Sequence, residues 1–174
     1  EYFLPADFSP RNNLNMYFRF QNENKEENIS GDSQMVKLDS RTRLKARYHI
    51  SYRISPSFEL RNRVEWAGYK KSSRDEQGYL IYQDIIYHAL KIPLDLSFRF
   101  AIFDTDSYET RIYAYESDVL YAFSVPPYFG KGIRTYLVLH SDLSKNIDVW
   151  FRIARTSFSD RKTIGSGLNK IEGN

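Results

Sequence analysis

Between Arg41 and Tyr69 the chain alternates with a period of two. Thr42, Leu44, Ala46, Tyr48, Ile50, Tyr52 and Ile54 fall on one side, and Arg41, Arg43, Lys45, Arg47, His49, Ser51 and Arg53 on the other. Successive side chains of a strand point to opposite faces, so this is one long strand with an apolar face and a charged face. Ser55-Pro56-Ser57 turns the chain, and a second run sets Phe58, Leu60, Val64 and Trp66 against Glu59, Arg61, Arg63 and Glu65, with Asn62 interrupting the apolar row. If Ile54 lies opposite Phe58, counting outward places Arg53 against Glu59, Arg47 against Glu65, Tyr52 against Leu60, Tyr48 against Val64 and Ala46 against Trp66. His49 then faces Arg63 and Ser51 faces Arg61. Unlike charges meet and apolar groups meet, which is the pairing that stabilises adjacent strands.

The same period recurs along the chain. Leu14, Met16, Phe18 and Phe20 alternate with Asn15, Tyr17, Arg19 and Gln21, preceded by an irregular segment with two prolines at 1–10. The polar stretches 21–39 and 70–77 read as loops. Residues 78–89 are apolar on both faces, and the following turn sets their phase. With Leu90 opposite Pro93, His88 faces Asp95, Asp84 faces Arg99, Ile86 faces Ser97, Tyr87 faces Leu96, Ile85 faces Phe98 and Ile81 faces Ile102. From Ile92 to Ile102 the outer row is Ile92, Leu94, Leu96, Phe98, Phe100, Ile102. A last hairpin joins Ile133–Ser141 to Ile147–Thr156 through Ser144-Lys145-Asn146. With Leu143 opposite Ile147, it pairs Leu139 with Phe151, Leu137 with Ile153, and Asp142 with the like-charged Asp148.

A strand of about a dozen residues with one charged and one aromatic-rich face fits a membrane barrel, whose strands cross the bilayer in about 9–11 residues. The expected fold is all-β: an antiparallel transmembrane β-barrel, or most of one, with short turns on one side and long polar loops on the other. Parity then makes 104–132 a hairpin outside the membrane, because both of its ends must lie on the long-loop side. About seven strands result, an odd number where single-chain bacterial barrels close with even counts. The expectation is therefore a single domain that is an incomplete part of a longer chain, with 158–174 as a further polar loop.

Composition sharpens this reading. The chain has 174 residues, with 14 Tyr and 12 Phe against 41% hydrophobic residues in all, which suits a sheet with one wet face and interfacial aromatics. Mean hydropathy is −0.58 and no 18-residue apolar run exists, so a transmembrane helix is excluded, though a barrel is not. The absence of cysteine removes disulfides and thiolate metal sites. Net charge is +3, but the arginines alternate along strands instead of clustering, as an internal charge ladder does.

Arg47, Arg53, Glu59, Arg61, Arg63, Glu65, Asp84 and Arg99 form the expected interior charge network. Tyr48, Ile50, Tyr52, Leu94, Leu96, Phe98, Phe100, Leu137, Leu139 and Phe151 form the expected lipid-facing set. Asp104, Asp106 and Glu109 lack the spacing and glycine of a calcium loop, and no metal site or cofactor is expected. His88 against Asp95 has the form of an acid–base dyad, but it reads as a structural pair. No nucleophile elbow or phosphate loop accompanies it, so no catalytic residue is assigned. Arg111, Lys131 and Arg134 among Tyr113, Tyr115, Tyr121, Phe123 and Tyr128 could stack a ligand or single-stranded nucleic acid, but they read first as the packed core of a loop that plugs or caps the barrel. Gly165-Ser166-Gly167 carries no chemistry by itself.

The run RTYLVLHSDLSKNIDVWFRIARTSFSD, preceded by RIYAYESDVLYAFSVPPYFGKG, resembles the C-terminal barrel region of outer-membrane proteins of Bacteroidota that carry helix-hairpin-helix (ComEA-like) repeats ahead of the barrel. The resemblance covers residues 41–174 and is carried by Phe103-Asp104-Thr105-Asp106, Tyr113-Ala114-Tyr115-Glu116, Tyr128-Phe129-Gly130-Lys131-Gly132 and Ala154-Arg155-Thr156. It implies a bacterial outer-membrane location and a non-enzymatic structural, scaffold or polar-pore role, with outer-membrane lipid and other envelope proteins as partners. No helix-hairpin-helix motif is present, so no nucleic-acid partner is implied. The alternative is a soluble antiparallel barrel or sandwich that binds a hydrophobic or sugar ligand.

Overall fold

The structure, a computed structural model, describes residues 1–29, 37–161, 163–164 and 171–172. Eight strands make one antiparallel meander: β1 (Tyr2–Arg11), β2 (Leu14–Ile29), β3 (Lys37–Ser55), β4 (Phe58–Lys71), β5 (Arg74–His88), β6 (Leu94–Thr105), β9 (Lys131–Ser144) and β10 (Ile147–Phe158). Between β6 and β9 the chain makes a 3-10 turn (Tyr108–Thr110) and a small hairpin of β7 (Ile112–Tyr113) with β8 (Pro127–Tyr128), extended by a bridge from Glu116 to Ser124. Past β10, β11 (Thr163–Ile164) pairs with β12 (Ile171–Glu172). Among the described residues no helix is long and apolar enough to cross a membrane, which says nothing about strands.

The registers of the two central hairpins follow the charge and apolar patterns. In β3–β4 all seven cross-strand pairs counted outward from Arg53–Glu59 are present, and in β5–β6 all six from His88–Asp95 to Ile81–Ile102. β6 pairs directly with β9, so the excursion at 106–130 leaves and returns at the same end of the sheet. The pairs Leu139–Phe151, Leu137–Ile153 and Asp142–Asp148 are also formed. His140 lies beside the like-charged pair, with its Nε2 2.9 Å from an Asp142 carboxylate oxygen.

Several expectations need correction. The sheet is not closed into a barrel: among the described residues β1 and β10 are its two edges. The segment 1–10 is not irregular but forms β1, giving eight strands in place of seven. Pro5 and Pro10 are tolerated because an edge strand can leave one row of backbone groups without a ladder partner. The segments 21–39 and 70–77 are largely strand, because β2 and β3 stay paired out to Ile29–Lys37 and β4 and β5 out to Lys71–Arg74. Gly31, within the first segment, and Gly165-Ser166-Gly167 lie outside the described residues. Phe158 ends β10 instead of opening a loop. Near the turns, Ser55 rather than Ile54 pairs with Phe58, and Ser144 rather than Leu143 pairs with Ile147. Each case is a one-residue bulge beside a tight turn, where the serine Oγ accepts a hydrogen bond from the backbone N–H two residues on: Ser57 at 3.3 Å and Asn146 at 3.5 Å.

Burial inverts the usual alternation of a soluble sheet. On β4, β5 and β6 the inward positions include Glu65, Asp84 and Arg99, at 3%, 6% and 3% exposure, while their outward neighbours Val64, Ile81 and Ile102 stand at 47%, 46% and 42%. Ala67, Leu80, Tyr82, Ala101 and Phe103 on the inner face pack with Ile112, Ala114 and Tyr128 of the small hairpin, which thus lies against the inner side of the sheet. Gly132 sits at this contact. A Cβ there would stand 2.4 Å from the Ser157 carbonyl oxygen and 3.0 Å from the Phe103 ring. Because a backbone atom blocks it, Gly132→Ala is expected to destabilise by about 1–3 kcal/mol. A urea midpoint equal to wild type would contradict this packing.

Candidate functional site

The inner face carries two linked groups of charge. The upper one is organised by Glu116, which the hairpin 106–130 delivers to a fully buried position. Its Oε1 accepts from Tyr128 Oη at 2.7 Å and Arg134 Nε at 2.5 Å, and its Oε2 accepts from Arg134 Nη2 at 2.8 Å and Arg152 Nη2 at 2.7 Å. Burial alone would raise its pKa, but the hydrogen bonds from Arg134 and Tyr128 and the nearby arginine charge hold the carboxyl below its ordinary range. Burial and the adjacent Glu116 carboxylate push the Tyr128 hydroxyl up. The Tyr136 hydroxyl accepts from the backbone N–H of Ser117 at 3.2 Å, tying the hairpin to β9.

Arg99 joins the two groups. Its Nε and Nη2 donate to Asp84 at 2.5 and 2.7 Å, and its Nη1 donates to the Tyr115 carbonyl at 2.7 Å. Its guanidinium lies 3.7 Å from the centre of the Tyr82 ring. Every face of this cation is used, so it is a structural element.

Below it lies a recess of about 470 Å³ walled by Tyr17 of β2, His49, Ser51 and Arg53 of β3, Glu59, Arg61 and Arg63 of β4, and Tyr82, Asp84, Arg99 and Tyr115, with Asn12, Asn13 and Asn15 at the rim. Arg61 Nε donates to Glu59 at 2.6 Å, and Ser51 donates to the same carboxylate oxygen at 2.7 Å. Arg53 reaches Glu59 only at 3.8 Å and remains exposed. Arg47 is held by both Glu65 oxygens, at 2.7 and 2.9 Å. Arg63 is treated differently. Its side chain is 13% exposed, its distance to Glu65 is 3.9 Å, and among the described residues its one close hydrogen bond goes to the Tyr17 hydroxyl at 3.0 Å. The ring of His49 stacks on Tyr17 at 4.8 Å, and His49 Nδ1 and Arg63 Nε are buried without hydrogen-bond partners among the described residues.

The structure thus brings Arg47, Glu59, Arg61, Arg63, Glu65, Asp84 and Arg99 together on one face, with Arg53 at its margin. The ten residues of the apolar set lie on the other face. Tyr48, Tyr52, Phe100 and Phe151 are exposed there, and Ile50, Leu94, Leu96, Phe98, Leu137 and Leu139 are half-buried by their neighbours. His88 and His140 both reach Asp95, at 2.6 and 3.3 Å, and no hydroxyl is bonded to either ring among the described residues. Asp104, Asp106 and Glu109 are engaged apart, with Lys131, the Gln77 N–H and Arg43 respectively. Among the described residues no three carboxylate or imidazole groups converge as metal ligands. The basic-aromatic group of the hairpin does not form one surface, since Tyr128 and Arg134 turn inward to Glu116.

No family model, curated protein or solved structure matches this chain. What it does is therefore argued from geometry. Sequence reasoning missed the Glu116–Arg134–Arg152 junction. Arg134 and Arg152 are in phase with the inner faces of β9 and β10, which was legible, but the depth of Glu116 comes from an irregular hairpin with no period to read.

Proposed function

We propose that this chain forms the wall of an outer-membrane β-barrel whose interior is occupied by its own loop hairpin, and that it serves the bacterial envelope as a non-enzymatic scaffold or polar-pore component. One observation carries the reading. Phe18, Tyr48, Val64, Ile81, Ile102 and Ile133 are consecutive cross-strand partners on β2, β3, β4, β5, β6 and β9, and all six are exposed on the outer face. A second row, Leu14, Tyr52, Leu60, Ile85, Phe98, Leu137 and Ile153, runs parallel to it across seven strands. An apolar surface this continuous is costly in water and ordinary against lipid.

From Phe58 to Trp66 the outward band spans nine residues of β4, the length with which a tilted strand crosses a bilayer. Between the two rows stand Asn62 and Gln83. The Gln83 side-chain NH2 donates to the carbonyls of Arg61 and Asp84, at 3.2 and 2.7 Å, which lowers the cost of that donor group facing hydrocarbon. Closure of the wall gives the free edges of β1 and β10 their partners, on each other or on further strands. The hairpin on the inner face favours a plugged scaffold over a wide channel.

The test is refolding of the chain into detergent micelles and liposomes. Heat-modifiable gel migration and flotation with the lipid are expected. A monodisperse monomer in detergent-free buffer would refute the reading.

A further inference from the structure

We propose that the recess beside Arg63 is a binding site for a small anionic ligand, a carboxylate or a phosphate. The recess is walled by four cations, Arg53, Arg61, Arg63 and Arg99, and two carboxylates, Glu59 and Asp84. Asp84 is consumed by Arg99, and Glu59 is shared between Arg61 at 2.6 Å and Arg53 at 3.8 Å. Arg63 is left nearly buried with its closest carboxylate oxygen at 3.9 Å, and that oxygen already accepts from Arg47 Nε at 2.7 Å. A guanidinium withdrawn from water without a close counter-ion is costly, and its contact with the Tyr82 ring at 5.1 Å offsets only part of that cost.

Arg63 Nε and His49 Nδ1, two of the buried side-chain nitrogens without a hydrogen-bond partner among the described residues, belong to residues that line this recess. An anion seated there completes the coordination of Arg63 with the bidentate geometry that guanidinium offers to carboxylate and phosphate. About 470 Å³ matches a ligand of metabolite size. The stacked Tyr17–His49 pair gives it a flat wall, and Asn12, Asn13 and Asn15 give it a polar rim. The site needs only the inner face and does not depend on what the outer face meets.

Calorimetric titration of the folded chain in a non-ionic detergent tests this, with pyrophosphate and citrate as probes and glucose as the neutral control. Saturable binding of at least one anion is expected, with none of glucose. The tighter of the two probes identifies phosphate or carboxylate as the ligand's charged group. Arg63→Met is expected to weaken binding by about tenfold or more, the loss of a charge-assisted hydrogen bond. Lys91→Met, an equal change of net charge in an exposed turn, is expected to leave it unchanged. Should Arg63→Met fail to fold, phenylglyoxal modification of the wild-type protein replaces it, and the probe is expected to slow labelling of Arg63. No saturable binding of either anion, equal binding by Arg63→Met, or labelling unaffected by the probe overturns the site. A chain that floats with lipid yet binds neither anion refutes this inference alone. A chain that binds but needs no detergent refutes the membrane reading alone.

Discussion

Phe98→Arg is expected to prevent insertion into liposomes, and Leu96→Arg, one row nearer the end of the outward band, to reduce it. Phe98 sits within the outward row between Ile85 and Leu137, and Leu96 between Tyr87 and Leu139. Arginine on the lipid face of a strand costs about 2–4 kcal/mol near the bilayer midplane, and the sheet offers no inward rotamer without breaking the alternation. Flotation and heat-modifiable migration should both be lost in Phe98→Arg, while the urea-unfolded chain stays soluble. In a water-soluble sheet the same half-exposed positions would accept arginine with a change of about 0.5 kcal/mol. The two readings thus differ by an all-or-none result in one experiment, and normal insertion of both variants would show the face assignment to be wrong.

Glu116→Ala is expected to release the hairpin from the inner face. Arg134, Arg152 and Tyr128 all donate to this one carboxylate, so its removal strands two partly buried cations, and a broken buried pair of this kind costs about 3–5 kcal/mol. Amide exchange at 112–128 should accelerate while the β3–β4 and β5–β6 ladders stay protected. If 112–128 keeps its protection, Glu116 does not hold the hairpin.

The pH dependence has a definite sign. The folded-state pKa of Glu116 is depressed below its ordinary 4.5, so the unfolded form takes up the proton first. The contribution of the network is complete above 4.5 and declines as pH falls below it. Protection of 112–128 should therefore weaken only on the acid side, and Glu116→Ala should remove that acid-side change.

The wall of this protein is legible in its sequence, because alternation, charge and turn spacing agree. Arg53–Glu59, Arg47–Glu65 and Asp84–Arg99 each place opposite charges across a ladder, and a one-residue slip would have set Asp84 against Phe98. β1 was hidden although Tyr2, Leu4, Ala6 and Phe8 alternate, because two prolines argue against a strand in general and are tolerated at an edge in particular. The extensions of β2 and β3 were hidden for a different reason. A ladder of mostly polar residues is held by its backbone hydrogen bonds and has no apolar period to detect. The Ser55 and Ser144 bulges depend on a hydroxyl bonded to a backbone N–H, which parity counting does not see. The Glu116 junction depends on long-range placement of a loop, the least local property of the chain.

The β2–β3 ladder has one more implication. Its last apolar outward residue on β3 with a described side chain is Leu44, yet the pairing continues through seven further rungs to Lys37 opposite Ile29. At strand rise this is about 23 Å of ribbon. Were the apolar belt to lie in a bilayer as proposed, the ribbon would stand like a mast above the headgroups, and an antibody, protease or neighbouring protein approaching from solution would meet it before the rim.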